Sequence, residues 1–187
     1  MNVKEAIEAR RAYRSFDPAE ISGKLADDLA SSAGLSPSCF NKQPWRYVFV
    51  FGKEALAKVK EALPPGNAWA KDSSMIIAVV SKKDSDCIMP DGREYYAFDT
   101  GMATAFIILR ATELGLVAHP IAGYDQKKVK DVLKVPDELS VLALVIVGKH
   151  ASDIKPSLSQ HQAEDEKARP ERIPLKDFAF IDSYGNR

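Results

Sequence analysis

The chain has 187 residues, which suits one domain with a tail, and 45% of them are apolar, enough for a sizeable core. Its 26 basic and 26 acidic side chains cancel, which removes any global electrostatic case for nucleic acid or an anionic membrane surface. The longest apolar stretch, Val141 to Val147, is far short of the ~20 residues a membrane span needs, Met1 to Glu5 lead into no secretory signal, and Cys39 and Cys87 alone make no disulfide framework, so a reducing, cytoplasmic location is expected.

The spacing of Val3 and Ile7, with Ala6 beside them, predicts a helix from Asn2 to Tyr13, ended by Asp17-Pro18. On that reading Arg10 and Arg14 share one helical face. Ser22 caps a second helix with Leu25, Leu29 and Ala33 on one side and Gly34 as its stop. Ser36-Pro37-Ser38 and Lys42-Gln43-Pro44 are loop chemistry around Asn41, and Tyr47 to Phe51 is a strand. Leu56, Val59 and Leu63 mark a third helix, and Met75 to Val80 a strand buried on both faces. The polar run Lys82 to Arg93 is a loop. A long apolar helix from Glu94 to Leu114 follows, closed by Gly115. Asp125 caps a short helix through Val129, Val132 and Leu133, and Leu142 to Val147 is the second buried strand. From Ala151 the chain turns polar and charged, then apolar again at Phe178 to Ile181. Residues 1–150 therefore read as the core, and 151–187 as an arm docking on the core or on a partner subunit. The irregular alternation of elements gives an α+β class with a central sheet between helices.

The common nucleotide loops are missing: there is no G-x-G pair, no P-loop and no G-x-S-x-G elbow. His119, His150 and His161 are scattered, without H-E-x-x-H or C-x-x-C, so no metal site is expected. Four polar clusters remain. Arg10-Arg11-Ala12-Tyr13-Arg14 can grip a phosphate through paired, charge-assisted hydrogen bonds, or be the solvated end of a helix. Ser36 to Trp45 places hydroxyls and amides next to an aromatic, as a polar ring edge or an ordinary loop would require. In Gly115 to Asp125, Ala122-Gly123 can let a ring approach the backbone, or simply make a turn. Arg172-Ile173-Pro174-Leu175 offers one more cation. His119 suits packing better than proton transfer, and Cys39 has no resolving partner nearby in sequence.

Taken together and in this order, these stretches resemble the FMN-dependent nitroreductase family, from Val3 to about Asp177. The carrying segments are Arg10 to Phe16, Ser36 to Trp45, Ala111 to Leu116, Pro120 to Asp125, Val147-Gly148 and Arg172 to Leu175. The resemblance implies a three-layer sandwich with a mostly antiparallel sheet flanked by helices and an extended C-terminal arm. It implies a homodimer with FMN across the subunit interface. Arg10 and Arg172 would meet the phosphate, Arg11 and Ala12 the ribityl chain, and Arg14 the pyrimidine edge. Ser38 and Asn41 would reach the flavin from the partner subunit, and Pro120, Ile121, Ala122 and Gly123 would pass beside the isoalloxazine ring. The implied activity is ping-pong transfer of electrons from NADH or NADPH to a small nitroaromatic- or quinone-like acceptor, with no essential side-chain acid or base. A flavin store or sensor without turnover, and a flavin-fragmenting or dehalogenating specialist, are the alternatives.

The chain departs from the family pattern in four places. Many relatives have serine or histidine where Arg11 and Ala12 stand, Cys39 sits where serine is usual, and Ala122 where glutamate is frequent. The Lys82–Arg93 connection is short beside members with an added helical flap, so a more open site is expected.

Overall fold

The computed structural model describes residues 1–186. Asn2 opens the first helix, α1 (Val3–Ala9): its side chain accepts from the Glu5 amide while the Glu5 carboxylate accepts from the Asn2 amide. The helix is shorter than the predicted span to Tyr13. Arg10 leaves the helical region at φ −56°, ψ 121°. The backbone beyond it has a stronger partner elsewhere, because the buried Glu166 carboxylate accepts from the amides of Arg14 and Ser15. Arg10 and Arg14 are therefore not helix-face neighbours; a tertiary anchor overrides the local pattern.

The remaining elements are β1 (Phe16–Asp17), α2 (Gly23–Gly34), β2 (Arg46–Val50), α3 (Lys53–Lys60), β3 (Met75–Ser81), α4 (Tyr96–Glu113), β4 (Val117–Ile121), α5 (Gln126–Leu133), β5 (Ser140–His150) and α6 (Gln160–Lys167). Ser22 and Asp125 accept from the amides of Leu25 and Lys128, capping α2 and α5 as expected. Gly115, at φ +76°, ends α4: its amide donates to Thr112 O and the Leu116 amide to Ala111 O, which satisfies two terminal carbonyls.

All strand pairs are antiparallel. β5 is the hub, pairing with β1, β3 and β4, and β3 carries β2 on its other side. Ile76, Ala78 and Val80 of β3 join Leu144 and Ile146 of β5 in one core, with Leu56, Val59, Trp69 and Val129. Met75, Ile77 and Val79 join Val145 and Val147 in a second core, under Leu29, Ala103 and Ile107. The continuous apolar runs thus have two covered faces, giving three layers: α3 and α5, the sheet, and α2 with α4.

Gly148 makes room for β1. A Cβ there would lie 2.9 Å from Cδ1 and 3.1 Å from Cγ of Phe16, which is itself buried. The Gly148→Ala variant is expected to lose about 1–3 kcal/mol of stability by overpacking. An unchanged urea midpoint would show that the Phe16 ring yields without cost.

Two expectations change. The polar arm contains α6, opened by a reciprocal cap between Ser159 and Gln162. Its sequence has no apolar face, and Glu166 rather than a hydrophobic residue anchors it. Cys39 and Cys87 are joined in a disulfide, with Cα atoms 6.1 Å apart. The pairing spans 48 residues and arises because the loop after α2 meets the loop after β3, so local sequence could not show it.

Candidate cofactor site

The extended segment after α1, the end of α6 and the chain that follows it enclose a pocket of about 190 Å³, lined by Arg10, Arg11, Ala12, Arg14, Arg169 and Arg172 with Asp165. Sequence reasoning singled out all of these except Arg169 and Asp165. Three of the five arginines are occupied. Arg11 donates to the carbonyls of Asp165 (2.6 Å) and Glu166 (3.2 Å) at the C-terminal end of α6, and lies 4.5 Å above the Tyr13 ring. Arg14 pairs with Asp165 at 3.1 Å. Arg169 donates to Glu8 O and Arg10 O, capping the end of α1. Among the described residues, Arg10 and Arg172 have no such partner. Burial, and then the charges of Arg169 and Arg172, push the Arg10 guanidinium below its usual pKa. The pocket thus keeps a net positive charge, with only Arg14 balanced by a carboxylate among the described residues, and suits an anion.

His119 of β4 sits behind it. Its Nδ1 lies 3.0 Å from Tyr13 O, which can only accept, so Nδ1 carries the proton. The ring stacks on Trp69 at 4.7 Å between centroids. Burial, followed by the Arg14 and Arg10 charges, lowers its pKa to about 4.

Pro120 belongs to a different surface. β4 is an edge strand bonded only to β5, where a residue without an N–H is tolerated. Pro120 borders an apolar trough of about 460 Å³ with Ala97, Gly101, Ala105 and Ile108 of α4 and Leu142 of β5. Ile121 turns its side chain into the core. On the side where a Cβ would stand, the space beside Gly123 is filled by Asn67, whose Nδ2 would lie 2.8 Å from that Cβ and donates to Gly123 O at 2.7 Å. The glycine there accommodates a neighbouring side chain. Ala122 next to it is exposed.

Ser38 and Asn41 line neither pocket. They lie in a loop where Phe40, Asn41 and Gln43 have φ of 48°, 55° and 49°. Ser38 Oγ accepts from the Gln43 amide, and Asp99 of α4 accepts from the Cys39 amide at 2.7 Å. The sequence-selected residues therefore fall into three groups: the arginine pocket, the trough beside Pro120, and this constrained loop.

A family model described as the nitroreductase family matches residues 7–74 and 63–149. A protein of Methanothermobacter thermautotrophicus named "Putative NADH dehydrogenase/NAD(P)H nitroreductase" is 28% identical over 157 residues, covering 82% of this chain and 80% of that one. A solved oxidoreductase containing FMN superposes with a TM-score of 0.84 at 28% identity, over 100% of this chain and 95% of its own. A nitroreductase family protein from Clostridium difficile 630 gives 0.79 at 24% identity, over 98% and 99%. The three-layer fold and the matched span agree, and the chain belongs to the nitroreductase family.

Proposed function

We propose that this protein binds FMN and passes electrons from NADH or NADPH to a small nitroaromatic- or quinone-like acceptor. The observation that carries the reading is the pair Arg10 and Arg172, two cations with no partner among the described residues beside three that are engaged. A terminal phosphate dianion fits that pair through charge-assisted hydrogen bonds. FMN has one such phosphate, and a bound flavin supplies hydride acceptance and electron donation. The protein's residues bind and orient. Arg10 and Arg172 hold the phosphate, Arg11 and Ala12 border the chain beyond it, and Arg14 lies at the pyrimidine edge. The trough beside Pro120 offers an apolar wall for a flat ring. No side-chain proton donor is required: His119 donates its one N–H to Tyr13 O and stays neutral near pH 7.

The same reading includes a homodimer. Ser38 and Asn41 lie away from their own chain's arginine pocket, as residues serving a partner's flavin would. Val3, Phe98 and Phe178 are 72%, 62% and 56% exposed on the single chain, apolar surface that a second copy can cover. The named relative supports the nicotinamide co-substrate, and the solved FMN-containing oxidoreductase supports the cofactor.

Light scattering of the purified chain with flavin absorbance, followed by chromatography of the released cofactor, tests this. A yellow dimer releasing FMN is expected; FAD, or a colourless monomer, refutes it. Rapid bleaching of the colour by NADH or NADPH distinguishes turnover from storage.

A further inference from the structure

Away from the arginine pocket, the two cysteines share a buried acidic corner. One ligand atom from each of Cys39, Asp86 and Cys87 lies within 4.8 Å of the others. Asp86 is 3% exposed; its Oδ1 accepts from the Cys87 amide at 2.8 Å, but its Oδ2 is buried with no hydrogen-bond partner. A second buried carboxylate, Asp99, stands beside it and accepts from the Cys39 amide. A buried carboxylate within 4.8 Å of two sulfurs, with one oxygen lacking a donor, can serve as a ligand to a cation.

We propose that Cys39, Cys87 and Asp86 form a binding site for a thiophilic divalent cation such as Zn²⁺, closed while the disulfide stands and opened by its reduction. The reductant is a dithiol. It becomes a disulfide as the Cys39–Cys87 bond breaks, and its two protons pass to the freed thiols. The cation then displaces both protons, giving two metal–thiolate bonds and one bond to Asp86 Oδ2. Zn–S bonds of about 2.3 Å and Zn–O bonds of about 2.0–2.2 Å in a tetrahedron set ligand atoms roughly 3.5–3.8 Å apart, so the two sulfurs, bonded in the disulfide, must move apart once it opens. A fourth position remains for water. The ligands come from two loops far apart in sequence, which is why no metal-binding spacing is visible in the chain.

The test uses the full chain, reduced with a phosphine and titrated with Co²⁺ as a spectroscopic probe and with Zn²⁺ as competitor. Reduced wild type is expected to take up one Co²⁺ with a sulfur-to-cobalt charge-transfer band that Zn²⁺ abolishes. The oxidised chain should give no band, and neither should Cys39→Ser. Asp86→Asn should weaken binding by at least about tenfold, since even indirect supporting groups are worth that much. Circular dichroism checks that each variant folds, and the comparison of oxidised with reduced wild type needs no variant. The proposal is overturned if reduced wild type shows no thiolate band, or if Asp86→Asn binds as wild type does. Both readouts are independent of FMN.

Discussion

Replacing Arg10 by alanine is expected to weaken FMN binding roughly 10- to 150-fold, since a hydrogen bond to a charged group contributes about 1.5–3 kcal/mol. The fold should be unaffected. Among the described residues no hydrogen bond or ion pair depends on the Arg10 side chain, and removing it relieves repulsion from Arg169 and Arg172. Arg10→Lys should recover only part of the affinity, because an ammonium cannot reproduce the guanidinium fork. Arg11→Ala is a less selective change: besides touching the pocket, it strips a donor from the carbonyls of Asp165 and Glu166 and so acts on the anchoring of α6. Fluorescence titration of the apoprotein, with circular dichroism as the folding control, reads the effect. Binding of FMN by Arg10→Ala within about twofold of wild type, well under a tenfold step, removes Arg10 from the site.

The arginine pocket shows what a sequence can carry. Arg10, Arg14 and Arg172 stood out as cations able to grip a phosphate, and the ordered resemblance to the family joined them in one expected site. Their geometry was not legible. The helix expected through Tyr13 stops at Ala9, because Glu166, more than 150 positions away, captures the Arg14 and Ser15 amides. Buried strands, caps at Ser22 and Asp125 and the glycine stop at Gly115 are local signals and survived intact. α6 lacks an apolar face, so periodicity could not reveal it. The Cys39–Cys87 bond and the Asn67–Gly123 contact depend on which loops meet, and loop meetings are set by the packed core.

Stability should fall as pH drops below neutrality, through His119. Its pKa is about 4 in the folded chain against 6.5 for an unperturbed histidine, so the folded state binds a proton less readily than the unfolded one. The stabilisation is then fully present above pH 6.5 and is lost progressively as pH falls toward about 4. At 1.36 kcal/mol per unit, the loss between pH 7 and pH 5 is about 2 kcal/mol. The cause is specific: the ring is buried against Trp69, and the neighbouring charges of Arg14 and Arg10 oppose its protonation. Carboxylates titrating at the lower end of this range contribute equally to a variant that retains them. His119→Asn keeps a donor for Tyr13 O but cannot titrate, so the difference between the two proteins isolates the histidine. The apoprotein must be used, because a phosphate held by Arg10 would offset the charge that helps keep His119 neutral. Urea unfolding of both proteins at pH 7 and pH 5 gives the answer: the wild type should lose more than His119→Asn by the stated amount, and equal losses would mean that His119 is solvated or paired when protonated.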